Sequence, residues 1–259
     1  MPRVARVSSK NGIYHIMLRG ANKQEIFHDD EDCVRFLEII EKYKRLSEMK
    51  VFAWCLMNNH VHLLIKEGNE PISITMKRIG VSFVWFYNWK YSTTGHLFQD
   101  RFRSENVETR RYLLTVIRYI HQNPVKAGIV NRADEWRWSS CREYYGKHVH
   151  LRGLLDADYI FRLISEDTSI AKDRFKEFNE RKSNDQCLDD RVNERKRLSD
   201  QEARQEIRQL LGTIEIAQVK SLSKVKRNEV LRQVKLINGL SQRQAARILG
   251  FSPNLIFKA

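Results

Sequence analysis

The chain has 259 residues, 42% of them apolar and 30% charged, with only 11 glycines and 4 prolines. That composition excludes collagen-like and wholly disordered chains and fits a globular, helix-rich protein. Lys and Arg number 46 against 32 Asp and Glu, and the resulting net charge of +14 points to a polyanionic partner such as nucleic acid.

The opening run MPRVARVSSKNG is basic and lacks the apolar centre of a signal peptide, so a cytoplasmic protein is expected. Residues 13–19 (IYHIMLR) read as a strand, followed by a turn at Gly20, Ala21 and Asn22. Asp29, Asp30, Glu31 and Asp32 then open a helix, where negative charge suits the positive end of the helix dipole. Val34, Leu37, Ile40 and Leu46 recur at helical spacing and carry that helix to about Lys50. Residues 51–57 (VFAWCLM) read as a buried strand, Asn58-Asn59 as a tight turn, and 60–66 (HVHLLIK) as the returning strand of a hairpin. Residues 71–91 form an aromatic-rich helix, 97–104 (LFQDRFRS) a further strand, and 109–123 a helix that Pro124 stops.

The order β-α-β-β-α-β-α matches the split βαβ, ferredoxin-like arrangement. An α+β fold is therefore expected, with one antiparallel sheet and helices packed on it. From Asp156 onward only helical patterns occur, at 156–182 and 200–259, with the polar stretch 181–198 as a linker. No apolar run approaches the ~20 residues of a membrane span. Cys33, Cys55, Cys141 and Cys187 lie too far apart for a zinc ribbon or a disulfide framework. Residues 1–150 carry 24 basic and 16 acidic side chains, 151–189 carry 7 and 9, and 190–259 carry 15 and 7. Two basic regions flank a slightly acidic one.

A strand period of two puts His60 and His62 on one face, with Val61 and Leu63 on the other. Two imidazoles side by side are either a pair of metal ligands or simply polar residues on a half-exposed strand. The same His-Val-His recurs at His148–His150, where no apolar strand surrounds it and a loop is expected. In the run RYIHQNP, Tyr119 and Asn123 are four apart and share a helix face. Asn123 offers an amide oxygen to a hard cation, and Gln122 is the fallback. Tyr119 either packs its ring or supplies a phenol nucleophile, which requires a base or positive charge beside it.

Taken in order, YHIMLRGANKQEIFHDDEDCVRFLEII, WCLMNNHVHLLIKE, GHLFQDRFRS, YLLTVIRYIHQNPVKAGIV and WRWSSCREYYG resemble the single-tyrosine HUH transposases, and among these the REP-associated tyrosine transposases. The resemblance covers roughly residues 10–146. It implies a ferredoxin-like nuclease domain, taken as 1–150; beyond it, the helical and charge patterns give a helical segment and linker at 151–198 and a helical DNA-binding region at 199–259. It also implies His60, His62 and Asn123 as ligands of Mg²⁺ or Mn²⁺, and Tyr119 as the nucleophile. The implied reaction is cleavage and rejoining of hairpin-bearing single-stranded DNA through a 5′-phosphotyrosine intermediate, by a monomer or homodimer. Two positions depart from the pattern: Asn58, where many relatives have Pro, and His121, which is expected to point away from Tyr119.

Arg101 and Arg103, placed on one strand face, either hold DNA phosphates or form a solvated edge. Trp85, Phe86, Tyr87 and Trp89 either pack into the core, the favoured reading, or stack unpaired bases. At the C-terminus, 239–259 (GLSQRQAARILGFSPNLIFKA) reads as a helix-turn-helix. Ala245 and Ala246 permit close packing, Gly250 makes the turn, and Ser252 with Pro253 starts the second helix. Ser252 and Asn254 are then candidates for contacts to duplex DNA, an ordinary helical hairpin being the alternative. Set against an active strand-transferase is a catalytically silent, transposase-derived DNA-binding regulator. A replication or conjugation initiator ranks last.

Overall fold

The computed structural model describes residues 7–148, 151, 153–181, 185, 187, 188, 198 and 200–258, with no side-chain description for Pro253, Phe257 and Lys258. The chain forms two compact units, 1–188 and 189–259.

In the first unit, four strands form one antiparallel sheet: β1 (Ile13–Arg19), β2 (Lys50–Met57), β3 (His60–Lys66) and β4 (Arg103–Asn106). Their spatial order β2-β3-β1-β4 is that of the ferredoxin-like split βαβ unit. Between them run α1 (Asp30–Ser47) and α2 (Ile72–Lys90), and α3 (Arg110–Lys126) follows β4. Asp29 caps α1 by accepting the Asp32 N–H at 3.0 Å, and Asp32 reciprocates by accepting the Asp29 N–H. At the far end of α2, Lys90 reaches back to Asp29 at 2.7 Å and to the buried Asp32 at 2.9 Å, fastening the two helices together. Phe36 of α1 meets Phe83 of α2 edge-on at 5.0 Å. The helix ends earlier than expected, because Glu48 turns left-handed (φ 55°) and Lys50 already belongs to β2. Leu46 faces solvent at 59% exposure, and Phe36, Leu37, Ile39 and Ile40 form the buried stripe instead.

Three expectations are corrected here. The fourth strand begins at Arg103, and 97–102 is loop, tied to the chain by a bridge from Gly20 to Phe98 and by the Gln24 amide nitrogen donating to Leu97 O. Arg101 is therefore an exposed loop residue and shares no strand face with Arg103. Pro124 does not stop α3, which continues to Lys126. Proline removes only its own N–H, and here it falls in the last turn, where its carbonyl still accepts the Ile129 N–H at 2.9 Å. Trp85 and Trp89 are each 69% exposed, whereas Phe86 is buried, so the aromatic run divides between core and surface.

Residues 136–140 lie along the open edge of β2. Leu56 N–H donates to Trp138 O at 2.9 Å, Ser140 N–H to Trp54 O at 3.0 Å, and the Trp136 indole N–H to Leu56 O at 2.9 Å. The sheet edge is thereby covered. The short α4 (Cys141–Tyr144) follows, then α5 (Ala157–Ile164) and α6 (Thr168–Glu180). These last two belong to the first unit, so its boundary lies near 188 and not near 150. The physical reason is burial. Ile160, Phe161, Ala171 and Phe175 join the main core, Tyr144 stacks on Phe175 at 4.3 Å, and Asp156 accepts from both the Val51 N–H and Lys44 at 2.8 Å.

The second unit holds α7 (Asp200–Leu211), α8 (Lys224–Leu236), α9 (Gln242–Leu249) and α10 (Pro253–Lys258) around Ile207, Leu211, Leu231, Ala245, Ala246, Leu249 and Ile256. Ser241 caps α9 through the Gln244 N–H at 3.2 Å, and Gly250 ends it with φ 70°, a conformation that favours glycine. Among the described residues no helix is long and apolar enough to cross a membrane.

Candidate active site

Antiparallel register decides which side chains meet. Met17 pairs with His62, Arg19 with His60, and His15 with Leu64, so His15, Met17 and Arg19 share one sheet face with His60 and His62. On the other side of β1, Glu105 pairs with His15 and Arg103 with Met17, which adds both to the same face. The helix α3 lies against this face and brings Tyr119 to it. The Tyr119 ring stands edge-on to His62 at 5.7 Å and to His15 at 5.8 Å. The His60 and His62 rings are 5.1 Å apart and nearly perpendicular.

Each histidine of the pair is held through Nδ1. His60 Nδ1 lies 2.7 Å from Asn59 Oδ1, and the Asn59 amide nitrogen donates to Lys23 O at 3.2 Å. That second bond orients the amide with its oxygen toward His60, so His60 Nδ1 carries the proton and Nε2 the lone pair. His62 is buried, with Nδ1 3.0 Å from His15 Nε2. Burial, followed by the nearby His60, His15 and Arg19, pushes the His62 pKa well below the usual histidine value. Burial likewise lowers His15, against the opposing influence of Glu105. The Glu105 carboxyl is itself held below its usual range, chiefly by His15. Neutral imidazoles are the form that binds a metal.

Tyr119 is 3% exposed, and the Lys126 ammonium sits 4.8 Å from its ring. Asn123, one turn on, is half-buried and donates through its amide nitrogen to the Tyr119 carbonyl at 3.1 Å. Gln122 is turned toward α6, where it donates to Asn179 O at 2.7 Å. His121 points away from Tyr119 as expected. Its Nδ1 meets Asn179 at 3.0 Å and its Nε2 meets Ser140 at 2.9 Å, and burial lowers its pKa to about 4. Among the described residues no group of three or more His, Cys, Asp or Glu side chains is placed to hold a metal. The donor set at hand is two imidazoles, with the Asn123 amide oxygen as the third candidate.

Of the other candidates only Arg103 shares this sheet face. Arg101 is exposed in the loop before β4, and Arg103 is half-buried in β4. Ser252 and Asn254 are exposed at the start of α10 in the second unit, Ser252 accepting the Leu255 N–H at 3.3 Å. His148 lies outside any strand, while Val149 and His150 fall outside the described residues. His15, Glu105 and Lys126 were not singled out from the sequence. Lys126 had a signal, being seven residues after Tyr119 and so on the same helix face. His15 and Glu105 had none without the strand register.

The region that holds the split βαβ sheet, the paired histidines and the helical tyrosine is also the region similar to known proteins. Residues 8–123 match the family described as "Transposase IS200 like". It is similar to a REP-associated tyrosine transposase of Escherichia coli (strain K12), with 26% identity over 103 residues, or 39% of this chain and 59% of that protein. The match thus spans less than two thirds of that relative. A solved structure, "Structure of the REP associates tyrosine transposase bound to a REP hairpin", is 21% identical with a TM-score of 0.48, covering 65% of this chain and 93% of the other.

Proposed function

We propose that this protein is a DNA strand-transferase that cleaves and rejoins single-stranded, hairpin-bearing DNA through Tyr119. The observation that carries this reading is the meeting of Tyr119 with the two-histidine face of the sheet, with 5.7 Å between the Tyr119 and His62 rings. The Tyr119 phenol oxygen attacks a backbone phosphorus and the bond to the 3′ oxygen breaks. A 5′-phosphotyrosine link and a free 3′-hydroxyl result, the proton lost by the phenol balancing the one gained by the leaving oxygen. Attack by the 3′-hydroxyl of a second strand reverses the step without ATP. Lys126 sets a positive charge beside the phenol as negative charge develops there.

His60, His62 and Asn123 would hold a divalent cation, Mg²⁺ or Mn²⁺, and the donor chemistry fits: neutral imidazoles with Nδ1 already engaged, plus an amide oxygen. When bound, the cation supplies Lewis-acid polarisation of the phosphate. Arg101 and Arg103 are assigned to backbone phosphates, and α9–α10 to duplex DNA as a helix-turn-helix, with Ser252 and Asn254 at its contact end. A cytoplasmic protein, monomeric or dimeric, suits this role.

The burial of Tyr119 favours one second reading, a DNA-binding regulator that has ceased to cut. Incubating the protein with hairpin oligonucleotides taken from the DNA flanking its gene, with Mg²⁺ or Mn²⁺, separates the two. A metal-dependent covalent protein–DNA adduct on a denaturing gel supports the transferase. Binding without an adduct, over several hairpins and both metals, supports the regulator.

A further inference from the structure

The sheet face that carries His60 and His62 also holds a buried polar chain which the proposed reaction does not use. Its members are Glu105 of β4, His15 of β1 and His62 of β3, three neighbours across three adjacent strands. His15 is fully buried at the centre of the sheet, a costly place for an imidazole that does nothing. Its Nε2 lies 3.0 Å from His62 Nδ1. Its Nδ1 is buried with no hydrogen-bond partner in bonding range, and the Glu105 carboxylate oxygen faces it at 3.9 Å. The same Glu105 oxygen accepts the Leu188 N–H at 3.0 Å, and Tyr112 also bonds this carboxylate, so Glu105 is fixed from two further directions.

Hydrogen-bond direction along this chain follows from chemistry. A carboxylate accepts only, so the proton of His15 belongs on Nδ1, facing Glu105. His15 Nε2 then carries a lone pair and can only accept. The proton of the 3.0 Å contact must therefore sit on His62 Nδ1, which leaves the His62 lone pair on Nε2. Asn59 imposes the same tautomer on His60 by a separate route.

We infer that His15 and Glu105 are positioning residues: the Glu105–His15 pair sets the tautomer and ring orientation of His62, so that its Nε2 is presented to a divalent cation. The inference rests on the reading of His60 and His62 as cation ligands. Such outer partners typically contribute ten- to hundredfold to metal affinity. No other imidazole has this role in the molecule's described residues: His121 is satisfied at both nitrogens by Asn179 and Ser140.

The test has two readouts, neither of them activity. Long-range ¹H–¹⁵N spectra of the metal-free full chain at pH 7.5 report the tautomer of each imidazole directly. The expected result is His62 protonated at Nδ1, shifting toward a tautomer mixture in Glu105→Leu. Mn²⁺ binding by calorimetry is then measured on the wild type, His62→Ala, His15→Leu, His15→Gln and Glu105→Leu, with thermal melts to check folding. His62→Ala should abolish the binding, and His15→Leu and Glu105→Leu should weaken it by roughly tenfold. His15→Gln should restore most of the loss, since its amide oxygen can accept from His62 and its amide nitrogen can donate to Glu105. A wild-type His62 protonated at Nε2 overturns the inference. So does Mn²⁺ affinity that needs His62 but is indifferent to His15 and Glu105, and in that case the ligand reading survives. Mn²⁺ binding that is absent, or independent of His62, overturns the ligand reading and the inference with it.

Discussion

The helix α3 presents two different sites on its two sides. Toward the sheet it sets Tyr119 against His15 and His62. Toward α4 and α6, two residues on, it buries His121. A step of two residues turns a helix by about 200°, so neighbours in sequence serve opposite layers. His121 has a partner at each ring nitrogen and Tyr144 and Phe175 around it, which is how a buried histidine is satisfied as part of a core. On the sheet side, three histidines crowd together, burial disfavours the charged forms of His15 and His62, and one nitrogen lacks a bonded acceptor. Burial does not separate His121 from the imidazoles of the proposed site. Satisfaction does.

Substitutions on the core side should damage stability and spare the chemistry. His121→Ala leaves Asn179 and Ser140 without their partner and opens a cavity, and should destabilise the first unit by about 3–4 kcal/mol in denaturant melts. Adduct formation by the folded fraction should be unchanged. A loss of cleavage out of proportion to the loss of folded protein would break the division between the two faces.

Acid should act on both faces with the same sign. For His121 the folded pKa is about 4 against a usual 6.5, so the unfolded chain takes up the proton first as pH falls. Its contribution to stability is complete above about pH 6.5 and is lost progressively down to about pH 4, up to roughly 3 kcal/mol. The depressed values of His15 and His62 add losses in the same direction. Denaturant titrations between pH 7 and pH 4.5 should therefore show falling stability, with a shallower slope in His121→Ala. A flat profile would contradict the burial of neutral imidazoles.

The smallest effect is expected far from both sites. Trp85 and Trp89 stand out from α2 into solvent, so Trp85→Ala and Trp89→Ala should each change stability by no more than about 0.5 kcal/mol. A larger destabilisation would mean that these rings are packed after all.

Much of the sheet was legible because the strand runs carry strong local signals. IYHIMLR and HVHLLIK match β1 and β3 to the residue, and the Asn58-Asn59 turn joins β2 to β3. The fourth strand was misplaced because LFQDRF has strand-like composition but only four residues, Arg103–Asn106, actually pair with β1. Pairing is a tertiary fact that composition does not carry. Proline at 124 was over-read for a related reason: its penalty depends on how much helix must follow, and here only two residues do. For the site, spacing and resemblance indicated His60, His62, Tyr119 and Asn123, whereas His15 and Glu105 required the register. The boundary near 188 was hidden because the helices 157–164 and 168–180 show an ordinary amphipathic pattern, and only packing reveals which unit they complete.

The account turns on one atom, the phenol oxygen of Tyr119. The most direct measurement is to trap the covalent protein–DNA adduct, digest it, and identify by mass spectrometry the residue that bears the nucleotide, with Tyr119→Phe run in parallel. The account predicts the nucleotide on Tyr119 and no adduct in the variant. An adduct that persists in Tyr119→Phe, or that maps to another tyrosine such as Tyr112, would contradict it.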